Sequence, residues 1–306
     1  MKQRKFISFD WALKRLLRHK ANFEILEGFL SELLMEDVHI LEILESESNK
    51  ENRDDKYNRV DMKVKNALGE IILIELQYER ELDYFQRLLY ETARTVTEHI
   101  SEGESYAHVV KVISVSILYF DLGKGIDYIY RGTMTFRGLH TNDELELSEG
   151  QKKLFRRETI AKIFPEYYLI KVNRFDDVAR DTLDEWVYFL KNEDIRGEFT
   201  ARGLKKAQEQ LNILKLSDQE RRSYEYYKED LHYQASMVES TYGIGKLEGL
   251  QEGKAEMLML LLQHRFGTVP DWASEKIATA TLLSLGEWTL RIFDARSLED
   301  VFADKA

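Results

Sequence analysis

The sequence predicts an α/β fold in which a mixed central sheet is flanked by helices, with core order α-β-β-β-α-β, followed by a mostly helical C-terminal region. Three observations predict it. Residues 59–66, RVDMKVKN, alternate with period two and lead through a short glycine-containing turn into the apolar run IILIELQ at 71–77. VVKVISVSILYF at 109–120 is a near-continuous β-branched run, as expected of a strand covered on both faces. Beyond Asp176 the pattern turns helical and strongly charged.

The elements follow in order. Leu13, Leu16, Leu17, Phe23, Leu26, Leu30 and Leu33 recur at helical spacing and predict an amphipathic helix over 9–34. VHILEILES at 38–46 suits a strand, followed by the polar connector ESNKENRDDK. In 59–66, Val60, Met62 and Val64 face one side and Arg59, Asp61, Lys63 and Lys65 the other, a half-buried strand. The apolar strand spans 70–78. A helix fits 81–101, with Leu82, Phe85, Leu88, Leu89, Val96 and Ile100 as its apolar side. After the 109–120 strand, 126–138 reads as an edge strand or hairpin and 167–175 as a further strand.

Three domains are expected: a core over 1–175, a helical extension over 176–256 and a small helical domain over 257–306. The extension ends in GKLEGLQEGKAE, with Gly245, Gly249 and Gly253 four residues apart. Each glycine costs a helix about 1 kcal/mol relative to alanine, so a loosely helical linker is expected there, ahead of a face for close helix contact. MLMLLLQHRFG then predicts a helix stopping at Gly267.

Composition narrows the function classes. A hydrophobic content of 43%, with 15 Phe and 16 Tyr, supports a real core. The absence of cysteine excludes disulfides and thiolate metal sites and fits a reducing compartment. The basic N-terminus lacks an apolar stretch of signal-peptide length, and no run approaches the roughly 18 apolar residues that span a bilayer. A soluble cytoplasmic protein without a membrane partner is the expectation. The net charge of −11 argues against non-specific coating of nucleic acid. Residues 1–20 nevertheless hold seven bases against one acid, Asp10, which suits either a local basic rim or a solvated helix face.

One constellation carries chemistry. If Ala67, Leu68 and Gly69 form a three-residue loop, Asn66 pairs with Glu70, and counting outward sets Asp61 opposite Glu75 and Arg59 opposite Gln77. Period-two alternation then puts Asp61, Glu75 and Gln77 on one face of adjacent strands. A loop of two or four residues would separate Asp61 from Glu75. Two carboxylates about 5 Å apart on a half-buried sheet repel, and a divalent cation relieves the repulsion. Hard oxygen ligands favour Mg²⁺ or Mn²⁺ over Zn²⁺, and such a cation can polarise a phosphodiester and activate a water. The alternative is an exposed polar face on which Lys63 and Arg59 neutralise the acids.

The order of elements, with Asp on the second strand and E-x-Q on the third, resembles the PD-(D/E)XK nuclease superfamily, and more narrowly its recombination-promoting nuclease and transposase family. FDWALK at 9–14, RVDMKVKN at 59–66, IILIELQ at 71–77 and FQRLLY at 85–90 carry the resemblance, which is strongest over 5–120 and weaker to about 240. The tail from the glycine repeat through RFGTVP to ARSLEDVF is similar to a helical domain attached to such nucleases. The resemblance implies a restriction-endonuclease-like fold and metal-dependent DNA cleavage linked to recombination or transposition. It makes Asp61 and Glu75 metal ligands, with the Leu76 carbonyl as an extra ligand, and gives Gln77 the place where the superfamily often has lysine. Glutamine offers only neutral hydrogen bonds, so positive charge would come from Arg59, Lys63 or a second metal. Val60 stands where a proline often precedes the first acid.

Arg87, Tyr90 and Arg94 at i, i+3 and i+7 form one stripe of the following helix, either contacting phosphate and carboxylates or serving as an ordinary polar face. Asp10 and Lys14 match the start of the family pattern, with Asp10 equally suited to cap a helix. A Mg²⁺-dependent DNA endonuclease is the leading expectation. The alternative is a catalytically weak nuclease fold acting as an assembly module. A homodimer or higher oligomer is expected from the resemblance and from the long helices over 201–262.

Overall fold

Asn66 sets the register of the core. Its Oδ1 accepts the N–H groups of Leu68 at 3.1 Å and Glu70 at 2.9 Å, and its own N–H donates to the Glu70 carbonyl at 3.0 Å. Gly69, at φ +77°, supplies the left-handed position. The loop is therefore the three residues 67–69. In the computed structural model, which describes residues 6–15, 17–44, 61–212 and 216–303, strand β2 (Met62–Asn66) pairs antiparallel with β3 (Ile71–Gln77), Met62 opposite Ile74 and Lys65 opposite Ile71. One further step sets Asp61 level with Glu75.

The sheet is mixed. β1 (Ile40–Leu44) lies antiparallel on the outer side of β2. On the other side β3 pairs in parallel with β4 (Val112–Leu118), and β4 in parallel with β6 (Glu166–Lys171). β5 (Ile129–Gly132) closes the far edge against β6, giving the order β1-β2-β3-β4-β6-β5. Both β3 and β4 are buried at every position, as their unbroken apolar runs require.

Helix α3 (Tyr84–Glu98) covers the face carrying Ile71, Leu73 and Glu75. Val96 packs with Ile71, Leu73 and Val112, while Tyr84 packs with Leu118 and Phe120. The helix thus runs antiparallel to β3 and brings its first turns over Glu75. This placement positions the site.

The expected helix over 9–34 is broken into α1 (Phe9–Arg15) and α2 (Phe23–Leu34), with a 3₁₀ turn at Lys20–Asn22. His19 adopts extended backbone (φ −88°, ψ 132°), which ends the helical path. Leu13, Leu17, Phe23, Leu26 and Leu30 are buried on both sides of the bend, so the apolar periodicity survives it.

The remaining helices are α4 (Glu149–Phe155), α5 (Thr182–Asn192), α6 (Leu204–Gln210), α7 (Asp218–Phe266), α8 (Asp271–Ala278), α9 (Leu282–Arg291) and α10 (Leu298–Phe302). Two compact units emerge, Met1–Tyr224 and Glu225–Ala306. In the first, Phe9, Phe29, Trp186 and Phe189 form an aromatic cluster with centroid separations of 5.5 to 6.2 Å. Gly28 of α2 faces the Arg202 carbonyl so closely that a Cβ would sit 2.3 Å from its oxygen. The start of this unit is held by its end. Ile7 N–H donates to the Leu211 carbonyl at 3.0 Å, Ser8 N–H donates to the Tyr224 hydroxyl at 3.1 Å, and Trp11 meets the Tyr224 ring edge-on at 5.5 Å.

In the second unit, Leu258 and Leu262 of α7 pack with Ile277, Leu285, Val301 and Phe302 from α8 to α10. Gly267, at φ +82°, ends α7 as its sequence predicts. The glycine repeat corrects the expectation of a loose linker: Gly245, Gly249 and Gly253 lie inside continuous helix. Their neighbours Lys246, Leu247, Leu250, Gln251 and Ala255 are strong helix formers, and each glycine subtracts only about 1 kcal/mol. No helix among the described residues is long and apolar enough to cross a membrane.

Candidate active site

Asp61, Glu75 and Gln77 meet on the face of the sheet beneath α3. Asp61 precedes β2, and its Oδ2 accepts the Leu76 N–H at 2.7 Å. Its carbonyl accepts Arg18 Nη2 at 3.0 Å, which ties the entry to β2 to the segment between α1 and α2. Glu75 and Gln77 are each only 5% exposed. Arg87 reaches down from α3 as a hub. It donates to Glu75 through Nη2, to both carboxylate oxygens of Glu81 at 2.8 Å through Nη1, and to Glu91 at 3.0 Å through Nε. The Tyr84 hydroxyl donates to Glu75 Oε2 at 3.2 Å. Gln77 Nε2 donates to Glu81 Oε1 at 2.8 Å and to the Glu79 carbonyl at 3.3 Å. With its N–H groups so directed, the Gln77 group offered to a ligand is its neutral carbonyl oxygen.

Among the described residues, Glu75, Glu81 and Glu91 gather around the Arg87 guanidinium, and the field of Asp61 reaches Glu75. Burial pushes the Glu75 carboxyl up to about 8, the fields of Glu91 and Asp61 push the same way, and Arg87 and the Tyr84 hydroxyl only partly oppose them. Burial also raises Glu91 above its ordinary value despite Arg87. Arg87 stays cationic, held by Glu75, Glu81 and Glu91 against the burial that would otherwise favour its neutral form. A carboxyl raised in this way gives up its proton more readily when a cation comes close.

Residues 7–241 match a family model described as PD-(D/E)XK nuclease family transposase. The chain belongs to that family. Neither a curated protein nor a solved structure matches the chain. The fold agrees with the family, since it is a mixed six-stranded sheet flanked by helices.

PD-(D/E)XK nucleases generally use divalent metals, and the donors here suit one. Asp61 and Glu75 are hard carboxylates on one face, and Glu75 resists ionising without added positive charge. Mg²⁺ takes only one or two protein carboxylates and completes its shell with water and phosphate, so two suffice. Among the described residues, no group of three or more His, Asp or Glu side chains is disposed around a metal position, and Arg87 sits amid these carboxylates.

The family pattern also bears on the other predicted residues. Leu76 contributes its N–H to Asp61. Lys63 lies farther along the same face, where its Nζ bonds Glu98 at 2.9 Å. Tyr90 is on the outer side of α3, 59% exposed, and Arg94 Nε bonds Glu98 at 2.7 Å. Asp10 is buried in α1, and its field reaches Tyr119, the residue just past β4. Lys14 belongs to α1, while Arg59 lies outside the described residues. Glu81, Tyr84 and Glu91 were not foreseen. Tyr84, Arg87 and Glu91 stand at i−3, i and i+4, a helical stripe that sequence spacing could have supplied.

Proposed function

We propose that this protein is a Mg²⁺- or Mn²⁺-dependent DNA endonuclease that hydrolyses phosphodiester bonds. Membership of a PD-(D/E)XK transposase family supports this reading and links it to DNA recombination or transposition. The observation that carries it is the register that sets half-buried Asp61 level with Glu75 on the adjacent strand, with Glu75 and Gln77 buried on the same face. Asp61 and Glu75 would hold the cation, with the Leu76 carbonyl as a further oxygen. Bound there, a divalent cation would polarise the scissile phosphate and lower the pKa of the attacking water. Gln77 would orient that water through its carbonyl oxygen. Arg87 would hold Glu75 in place between turnovers and, leaning on Glu81 and Glu91, offer its guanidinium to the phosphate.

The test is nicking of supercoiled plasmid in Mg²⁺ or Mn²⁺. The wild-type chain should nick, and Asp61→Ala should lower the rate by at least about 10²-fold, the scale on which a lost electrostatic stabiliser acts. Equal cleavage by the mutant would sink the assignment. A second reading, a nuclease fold of weak activity that serves assembly, draws on the Arg87–Glu75 pair and on Gln77 standing where lysine is usual. Calorimetry separates the two: Mn²⁺ binding that depends on Asp61 and Glu75 supports the enzyme.

A further inference from the structure

The protein carries a net charge of −11, yet three of its bases line one cavity. The cavity, of about 280 Å³, opens where β4 begins and is lined by Lys111, Arg157 and Lys162 together with Tyr106, Phe155 and Ile163. Lys111 immediately precedes β4, level with Glu70, since Val112 pairs with Ile71. Glu75 stands five residues farther along β3, about 16 Å away at the rise of a strand. The cavity and the candidate active site are therefore two places on the sheet.

The wall of this cavity is built. Lys111 is 1% exposed on its side chain, and its Nζ is fixed by the Ala161 carbonyl at 2.9 Å and Glu166 at 3.1 Å. Behind it, buried Glu70 is held by Asn66 Nδ2 at 2.9 Å, and Glu166 by Arg131 at 2.6 Å and the Tyr168 hydroxyl at 2.8 Å. These carboxylates do not line the cavity; the bases do. Arg157 is ion-paired with Glu70 at 3.7 Å, and Lys162 with Glu36 at 3.5 Å. Both pairs are longer than an ordinary hydrogen bond, so each base has N–H donors that an incoming anion can take in competition with its carboxylate. The other wall is aromatic, with Tyr106 88% and Phe155 39% exposed. An apolar-walled concavity with a few convergent polar groups is the usual form of a small-ligand site.

We propose that this cavity is a second nucleotide site, separate from the candidate active site, which takes a phosphate on Arg157 and Lys162 and a base against Tyr106 and Phe155. Planar guanidinium and ammonium donors suit a phosphate, and aromatic faces suit any base without reading its sequence. Such a ligand is either a free nucleotide or the 5′-phosphorylated end of a strand.

The test uses the full chain in EDTA, so that no divalent cation enters the active site. Binding of AMP is measured by calorimetry. Binding of a labelled single-stranded DNA, with and without a 5′-phosphate, is measured by anisotropy. AMP binding supports a free-nucleotide site, and binding of DNA only when it is 5′-phosphorylated supports a strand-end site. In either case the double substitution Arg157→Ala with Lys162→Ala should weaken binding at least tenfold, Tyr106→Ala severalfold, and Asp61→Ala not at all. Both bases are at least partly exposed, and thermal unfolding checks that the variants are folded. Failure of both probes to bind, DNA binding that ignores the 5′-phosphate without any AMP binding, or unchanged affinity in the double variant would overturn the proposal.

Discussion

Glu75 is flanked by the carboxylates of Glu91 and Asp61 in a nearly dry site, and Arg87 is the cation that makes its burial tolerable. Removing one partner of a buried charge pair costs about 3–5 kcal/mol because the other is left uncompensated. Arg87→Met should therefore lower the stability of the metal-free chain by about that amount above pH 8, and by less at neutral pH, where Glu75, pushed up to about 8, takes a proton instead. Excess Mn²⁺ should recover part of the loss, since the added cation supplies the missing charge. Thermal unfolding with and without Mn²⁺ measures both effects, and an equal loss in the two conditions would show that Arg87 acts through packing instead of charge. The meeting of Asp61, Glu75 and Gln77 was legible in the sequence, because strand alternation and a three-residue loop leave one register. The hub around Arg87 was less so. The stripe drawn through Tyr90 and Arg94 and the stripe through Tyr84 and Glu91 are equally good helical patterns. Only the roll of α3 on the sheet, fixed by Tyr84 against Phe120 and Val96 against Leu73, selects the second.

Elements differ in what their glycines do. At Gly245, Gly249 and Gly253 an added Cβ meets nothing within 4 Å, and none of the three has positive φ. Alanine at each should raise the stability of the helix by about 0.5–1 kcal/mol, since it removes backbone entropy without a clash. Gly28→Ala should do the reverse, because its Cβ would press on the Arg202 backbone and part α2 from the start of α6. Circular dichroism and thermal unfolding of the triple variant and of Gly28→Ala check the opposite signs. The two misread elements share a cause. Over 9–34 the apolar spacing crosses the bend at His19 unbroken, so periodicity alone cannot locate it. Over 245–256 glycine propensity taken one residue at a time predicts a loose linker, whereas a helix of 49 residues spreads that cost over many good formers.

For the whole molecule, acid stability rests in part on Glu166. Burial alone would raise its pKa, but the Tyr168 hydroxyl, Arg131 and Lys111 together hold it below the ordinary carboxylate value. Lys111 is itself lowered by burial, which outweighs its bond to Glu166, because it has one carboxylate partner where Glu166 has three donors. A carboxylate lowered on folding stabilises the fold above its unfolded value near 4.5, and the benefit is lost as pH falls through its lower folded value. Urea unfolding from pH 5 to 3 should show this loss. Glu166→Gln should reduce the slope there by up to about 1.4 kcal/mol per pH unit, one proton's worth. An unchanged slope would remove Glu166 from the account. The latch between the two ends of the first unit has a consequence for synthesis. Ser8 and Tyr224 are 216 residues apart. At roughly 5–20 residues per second, a translating ribosome needs about 10–40 s to deliver the second after the first. Until then α1, with Asp10, has no Tyr224 to close on, and a half-made chain cannot complete this part of its own fold.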